Sequence, residues 1–249
     1  MTEGGFAINL EMRGKDQPFS ADVGNRVRSL RSITRQDMPL TAINHTRNHI
    51  AASVREVIRT YFPADYCSLC HVFAVVGANL ATIALEREFR PVAGLAAIDS
   101  GANQLIVMAD DRAFANQKGG AYHCWIESSD HLPFKKVLID LTFGHNHMYA
   151  RKNGLPWAGG TPPRYLWGYF DQLVIAGAIE DLRPDFGKNR IWLCETDAGV
   201  SWMARHLEAN LSGYVNLTAA ALKIYRRRLP SARFNLIAPL LEPSMLAYA

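Results

Sequence analysis

The chain carries little net charge, no long block of basic residues and no export signal at its start. Its 249 residues include 27 Lys and Arg against 23 Asp and Glu, so the formal net charge is only +4 at pH 7. An excess this small and dispersed is not typical of proteins that bind nucleic acid or an anionic membrane surface. The first ten residues, MTEGGFAINL, contain an acid and lack the basic start and apolar stretch of a secretory signal. We therefore expect a cytoplasmic protein with neither a nucleic-acid nor a membrane partner.

The chain also lacks a hydrophobic run long enough to cross a bilayer. Its longest apolar segment, residues 73–85, is interrupted by Asn79 and Thr82 and is followed by three charged residues. A membrane helix needs about 20 predominantly apolar residues. The segment therefore predicts a helix in the protein core.

Cysteine is scarce as well. The four cysteines are Cys67, Cys70, Cys124 and Cys194. In a chain of this length with no export signal, so few cysteines favour reduced thiols over a disulfide framework.

The composition is otherwise that of a soluble globular protein, with 49% hydrophobic and 20% charged residues. These values exclude a disordered or collagen-like chain. The length suits one large domain or one domain with an appendage, and the sequence shows no internal repeat. We predict a single domain over residues 1–249.

The spacing of apolar residues predicts helices at both ends of the chain and one in the middle. Residues 22–62 have the pattern of one or two amphipathic helices, and residues 68–85 that of a central helix buried on most sides. Two closing helices are predicted at 198–211 and 217–229, with Gly213 as the break between them.

Between these helices the sequence alternates short β-friendly runs with turn residues, a pattern typical of an antiparallel sheet. Consecutive strands joined by short connections usually pair, so we expect a meander of about four strands against which the central helix packs. The four runs are residues 91–98, 104–109, 121–127 and 136–143, and residues 164–174 and 190–196 are compatible with further strands. The predicted fold class is α+β.

Cys70 lies where the central helix is predicted to begin. If Ser68 caps the helix, the thiol of Cys70 is in the first turn, where the positive end of the helix dipole lowers the pKa of a thiol. The resulting thiolate is the form that attacks carbonyl carbon. Ala74, Gly77 and Ala81 follow on the same helix face and would let a sheet approach closely. We therefore expect a second side chain to reach the sulfur.

A histidine and an acid on two following strands complete a candidate catalytic set. A thiolate nucleophile needs a nearby imidazole to form an ion pair with it and to protonate the leaving group, and His123 is the best placed of eight histidines. Asp140 interrupts an otherwise apolar strand directly after the His123 strand. Because a buried acid is costly unless it is paired, we expect Asp140 to accept the second ring N–H of His123. Cys70, His123 and Asp140 would then act as nucleophile, base and orienting acid.

In this order and context the residues resemble a known superfamily. A Cys at a helix start, His-x-Trp-x-Glu on a strand (123–127) and Asp-x-Thr after an apolar strand (140–142) look like the transglutaminase-like branch of the papain-like cysteine enzymes. The run Cys67-x-x-Cys70-x-x-Phe73 is also similar to the papain nucleophile helix. The resemblance covers about residues 60–145.

The resemblance implies a papain/transglutaminase-like catalytic core over about residues 60–145, with additional helices before and after it. It implies a thiol-dependent hydrolase or acyltransferase that acts on an amide, peptide or acyl bond through a thioester intermediate and needs no cofactor. The expected partner is a peptide, a protein or a small acyl or amide substrate. The sequence does not indicate the second nucleophile or the oligomeric state.

The chain departs from the papain pattern at the second oxyanion donor. That pattern has a Gln six positions before the nucleophile, where this chain has Ala64. A backbone N–H or Tyr66 would have to supply the hydrogen bond.

Three other interpretations stay open. Cys67 replaces Cys70 as the nucleophile if Asp65 caps the helix, because Cys67 then occupies the first turn. The second interpretation is a metal- or haem-binding module, since the run Cys67-x-x-Cys70-His71 matches the motif of covalent haem attachment. A zinc site in such a module would draw on Cys67, Cys70, His145 and His147. A non-catalytic protein that keeps the fold is the third.

Overall fold

The computed structural model describes residues 40–229, apart from residues 102, 111, 117–120, 133, 185 and 188. The helices in this part are α1 (Leu40–Tyr61), α2 (Cys70–Leu85), α3 (Arg112–Asn116), α4 (Asn146–Lys152), α5 (Phe170–Leu173), α6 (Asp197–Ala209) and α7 (Leu211–Arg228). The strands are β1 (Phe89–Gly101), β2 (Gln104–Met108), β3 (His123–Ser128), β4 (Val137–Asp140), β5 (Leu166–Tyr169), β6 (Val174–Ile175) and β7 (Ile191–Glu195). The fold is α+β, as predicted. Of the helical region predicted at 22–62, residues 22–39 lie outside the described residues.

The strands form one mixed sheet in the order β5-β4-β3-β1-β7-β6, with β2 also paired to β1. All pairs are antiparallel except β6 with β7, which run parallel. The simple meander predicted from the sequence is therefore wrong at one step, because β3 pairs with β1 and not with β2. The reason is the length of β1: its first half pairs with β3 and its second half with β2, along the same edge.

The helix α2 packs against β1 and β3, and α1 and α7 cover it. Nine of its residues are buried. A Cβ atom placed on Gly77 would lie 2.6 Å from Leu141 Cδ1 and 2.7 Å from Ile126 Cδ1. The absence of a side chain at Gly77 thus permits the close approach of helix and sheet that the small residues predict. This contact sets the distance between the start of α2 and the ends of the strands.

The sheet is buried on both faces. The larger core lies between the sheet and α1, α2 and α7, and includes Ile126 of β3. A second core lies on the opposite face and includes the neighbouring Trp125. Alternate residues of one strand enter different cores, as the pleat of a β-strand requires.

The second closing helix is longer than predicted, since α7 begins at Leu211 and not at residue 217, and the break between the two helices is elsewhere. Thr196 caps α6, accepting a hydrogen bond from the backbone N–H of Gly199 at 3.1 Å. The break falls at Asn210, and Gly213 lies inside α7, where a side chain would meet nothing within 4 Å. Glycine inside a helix costs only about 1 kcal/mol. Contacts of the buried Tyr214 and Leu217 outweigh that cost and extend the helix through Gly213.

The region at 164–174 also differs from a single strand. It forms β5, one short helix and β6 in succession.

Within residues 40–229, excluding the gaps, no helix has the length and apolar content to cross a membrane.

Candidate active site

Cys70 is the first residue of α2. A 3₁₀ turn over Tyr66–Ser68 precedes the helix, and Leu69 is in the N-cap position with no side-chain cap hydrogen bond. The prediction that Ser68 caps the helix is therefore wrong, since Ser68 ends the preceding turn. The first-turn N–H groups of α2 have no side-chain cap, so the positive end of the helix dipole acts on the Cys70 sulfur.

His123 and Asp140 meet at the end of the two neighbouring strands β3 and β4. Ile126 lies opposite Ile139, so the same register places Asp140 opposite Trp125. His123 precedes Trp125 by two residues and therefore points to the same face of the sheet. His123 Nε2 is 2.9 Å from Asp140 Oδ2, and both side chains are buried. The contact that the sequence predicts between them is present.

Thr142 holds the other oxygen of the Asp140 carboxylate. The backbone N–H and the hydroxyl of Thr142 both donate to Asp140 Oδ1, at 2.8 and 2.9 Å. Burial by itself would raise the pKa of Asp140, but the charge of His123 and the hydrogen bonds from His123 and Thr142 together lower the pKa below its usual value. Asp140 is thus an ionised, immobilised acceptor.

The imidazole of His123 is stabilised in its charged form. Burial alone would lower the pKa of His123, but the charge and hydrogen bond of Asp140, with a smaller contribution from Cys70, raise it above the usual value. Because Asp140 occupies Nε2, Nδ1 is the ring nitrogen left to interact with another group.

The thiol of Cys70 has a pKa well below its usual value. The largest cause is a hydrogen bond from the Cys124 thiol; burial opposes it, and His71 and His123 add to it. Burial and the neighbouring Cys70 raise the pKa of Cys124 well above its usual value. Cys70 is partly exposed, whereas Cys124 is buried. The site therefore contains a partly exposed thiol with a lowered pKa beside a buried thiol with a raised pKa.

Cys70 and His123 line a common cavity of about 470 Å³. Asp140 lies behind His123 and is fully buried. The cavity walls comprise Cys67, Ser68, Cys70, Met108, Tyr122, His123, Thr142, His145, Asn146, Tyr149, Lys152 and Asn153. A molecule in this cavity would reach both the sulfur and the imidazole.

Cys67 also lines the cavity, but in a different setting. It lies in the 3₁₀ turn before α2, and its Sγ is 3.6 Å from Met148 Sδ. Asp65 precedes that turn and makes no side-chain cap hydrogen bond. The arrangement in which Asp65 places Cys67 in the first turn of the central helix is therefore not observed.

The structure does not assemble the predicted zinc ligands. Across the part of the chain that it describes, no group of three or more His, Cys, Asp and Glu side chains is arranged to hold a metal ion. His71, the histidine of the haem-attachment pattern, packs edge-on against Trp202 and His206, with ring centroids 5.8 and 4.9 Å apart. Its ring would have to leave this aromatic cluster to bind iron.

Two buried residues in the cavity wall were not anticipated in their observed roles. Burial lowers the pKa of His145 to about 4, so its imidazole is neutral at physiological pH. His145 Nδ1 and Asn146 Nδ2 are both buried and have no hydrogen-bond partner within the described residues. The signal in the sequence was a polar His-Asn pair shortly after the Asp140 strand. Tyr66, the side chain suggested as oxyanion donor, is not among the residues that line the cavity.

Comparisons with known proteins identify no family. No protein-family model matches the chain, and no curated protein matches it. The crystal structure of "genomics APC5867" is similar, with a TM-score of 0.52 and 18% sequence identity over 75% of this chain and 80% of that chain. At this identity the similarity concerns the fold alone.

Proposed function

We propose that the protein is a thiol-dependent hydrolase or acyltransferase of the transglutaminase-like and papain-like type. Cys70 is the nucleophile, His123 the acid–base and Asp140 the orienting acid. The observation that carries the proposal is the buried 2.9 Å hydrogen bond between His123 and Asp140 at the cavity that contains Cys70. Burying such an ionic set does not in general stabilise a fold more than apolar residues would, which favours a catalytic role.

The first half of the reaction forms a thioester. The Cys70 thiolate attacks the carbonyl carbon, a C–S bond forms, and the carbonyl oxygen takes up the negative charge. His123, protonated in the ion pair, then gives its proton to the departing amine or alcohol as the C–N or C–O bond breaks. Asp140 keeps the imidazole oriented with Nδ1 toward the sulfur throughout.

The second half of the reaction releases the acyl group. Water or an amine attacks the thioester carbon while His123 accepts a proton from it. The C–S bond breaks, and the thiolate and the imidazolium are restored. Water gives hydrolysis and an amine gives transfer, so the same three residues serve both outcomes.

The first test is the reactivity of Cys70 toward iodoacetamide, with the modified residue located by mass spectrometry. At pH 6 an ordinary thiol is almost entirely protonated, whereas the thiolate of Cys70 reacts. We expect Cys70 to be alkylated at least tenfold faster than free cysteine. His123→Ala removes the imidazolium and should slow the reaction at pH 6 severalfold.

Two matched control variants distinguish loss of the proposed Cys70–His123 ion pair from a general effect of substitution on the alkylation rate. His131→Ala removes an exposed histidine outside the cavity and should leave the rate unchanged. Cys67→Ser should also leave the alkylation of Cys70 unchanged. Alkylation of Cys70 no faster than free cysteine would refute the proposal, and rapid labelling of Cys67 in its place would move the nucleophile there.

A further inference from the structure

The cavity beside Cys70 contains a buried amide with no partner. Asn146, the first residue of α4, is only 5% exposed and lines the same cavity as Cys70 and His123. Its Nδ2 has no hydrogen-bond acceptor within the described residues. Buried donors are nearly always paired. An unpaired donor at a reactive cavity is therefore suited to an acceptor that arrives with the substrate.

Two other residues of the cavity wall have donors that are already engaged. The hydroxyl and the backbone N–H of Thr142 donate to Asp140. The amide of Asn153 donates to the backbone carbonyl of Tyr149 at 2.8 Å. Asn146 differs from them in having its donor hydrogens uncommitted.

His145 is the other wall residue with an unpartnered nitrogen. Its ring packs edge-on against both Tyr66 and Phe73, with centroids 5.4 and 5.3 Å away. These contacts fix the orientation of the imidazole. Asn146 Nδ2 has no hydrogen-bond partner within the described residues, and a half-turn about χ2 exchanges the nitrogen and oxygen of the amide without moving its carbon atoms. Asn146 can therefore present an N–H to an oxygen in the cavity.

We infer that the side-chain amide of Asn146 donates a hydrogen bond to the substrate carbonyl oxygen as Cys70 attacks it. This role rests on the proposed function and completes it, because the uncapped first-turn N–H groups of α2 supply donors from the nucleophile's own helix. An oxyanion needs preorganised donors that gain strength as charge develops on it. A neutral amide provides this without carrying a charge that would alter the thiolate.

The role predicts a separation of two reactions of the same sulfur. Acylation by an ester passes through an oxyanion, whereas alkylation by iodoacetamide displaces iodide at a saturated carbon and forms none. Loss of Asn146 should slow acylation and leave alkylation almost unchanged. A side chain that only supports the fold would change both rates together.

The experiment compares the wild-type protein with Asn146→Ala, using p-nitrophenyl acetate as the acyl donor and iodoacetamide as the alkylating agent. Removal of one oxyanion donor typically costs about 10² to 10³ in rate. We expect acetylation of Cys70 in Asn146→Ala to be slower by about a hundredfold, with an alkylation rate within about twofold of wild type. Asn146→Ser, which is smaller and keeps one donor, should fall between them.

Asn79→Ala is the matched control, since it removes an amide further along the helix that begins at Cys70, outside the cavity, where it donates to Thr218 Oγ1 at 3.2 Å. It should leave acetylation and alkylation unchanged.

Equal acetylation by wild type and both Asn146 variants, with alkylation retained, overturns the role of Asn146 alone. Parallel loss of both reactions in the two variants assigns Asn146 to the fold and also overturns the inference. A wild-type protein that alkylates slowly and is not acetylated refutes the proposed function and this inference with it.

Discussion

Two thiols whose pKa values are shifted in opposite directions lie side by side at the candidate site. Cys70 begins a helix and is partly exposed, while Cys124 follows His123 on β3 and is buried. The neighbouring Cys124 thiol is the largest cause of the lowered pKa of Cys70. The lowered pKa of Cys70 therefore depends on Cys124 as well as on the imidazole of His123 and the helix dipole.

Cys124→Ala should raise the pKa of Cys70 toward that of an ordinary thiol, because the hydrogen bond to the thiolate is lost. A hydrogen bond to a charged group contributes about 1.5 to 3 kcal/mol. At a pH below the midpoint of the titration, we expect alkylation of Cys70 to slow by about tenfold or more. The rate of iodoacetamide labelling against pH measures the shift directly.

The direction of the pH dependence follows from the sign of the shift. A thiol with a lowered pKa stays reactive as the pH falls until the folded-state pKa is passed, so loss of Cys124 moves the onset of labelling to higher pH. Cys194→Ser is the control, since Cys194 lies on β7 with its sulfur 3.7 Å from the carbonyl of Glu195. A labelling profile unchanged by Cys124→Ala would contradict the assignment of Cys124 as donor.

At the scale of the elements, α2 and α7 use glycine in opposite ways. Gly77 of α2 faces the sheet, where Leu141 and Ile126 leave no space for a Cβ atom. Gly213 of α7 faces open space. Glycine thus permits close packing of helix and sheet in α2, whereas in α7 it only lowers the stability of the helix.

Gly77→Ala and Gly213→Ala should change stability in opposite directions. Alanine improves helix propensity by about 1 kcal/mol at either site. At Gly77 the overpacking against two side chains costs about 1 to 3 kcal/mol and outweighs that gain. Urea unfolding should show lower stability for Gly77→Ala and higher stability, by up to about 1 kcal/mol, for Gly213→Ala. Stabilisation by both substitutions would show that helix and sheet are not in close contact.

At the scale of the whole molecule, the buried carboxylate of Glu127 connects strands in the centre of the sheet. Glu127 of β3 accepts from Trp125 Nε1 at 2.9 Å and pairs with Arg90 of β1 at 3.0 Å and with Lys136 at 2.5 Å. Arg90 also pairs with Glu195 of β7 at 2.6 Å. The cluster joins strands that are far apart in the chain.

Glu127→Gln should destabilise the protein because it leaves two cations beside a neutral amide. Breaking a fully buried pair costs about 3 to 5 kcal/mol, and the partial exposure of Arg90 and Lys136 reduces the expected loss to about 1 to 3 kcal/mol. The measurement is the free energy of unfolding in urea. Glu56→Gln removes the partner of Arg228 in an exposed pair and should cost less than about 1 kcal/mol. Equal effects of the two substitutions would contradict a central role for Glu127.

The sequence was most informative where the structure depends on short-range pattern. The order of helix and strands, the start of the central helix near Cys70 and the contact between His123 and Asp140 all follow from periodicity and from the adjacency of consecutive strands. The predicted break at Gly213 is wrong because the packing of the residues that follow it outweighs a weak local preference. The predicted N-cap at Ser68 is also wrong, because Leu69 takes that position without a capping side chain.

By itself, the sequence determined the α+β class and which side chains are candidates for the proposed acyl transfer, because residue type and local spacing carry that information. Only the tertiary structure decided that β3 pairs with β1, that Cys124 lies beside Cys70 and that Asn146 Nδ2 is buried at the cavity with no partner within the described residues. Each of these depends on chain segments far apart in sequence. Their contacts are set by the competition of whole elements for the same buried space, which no local pattern encodes.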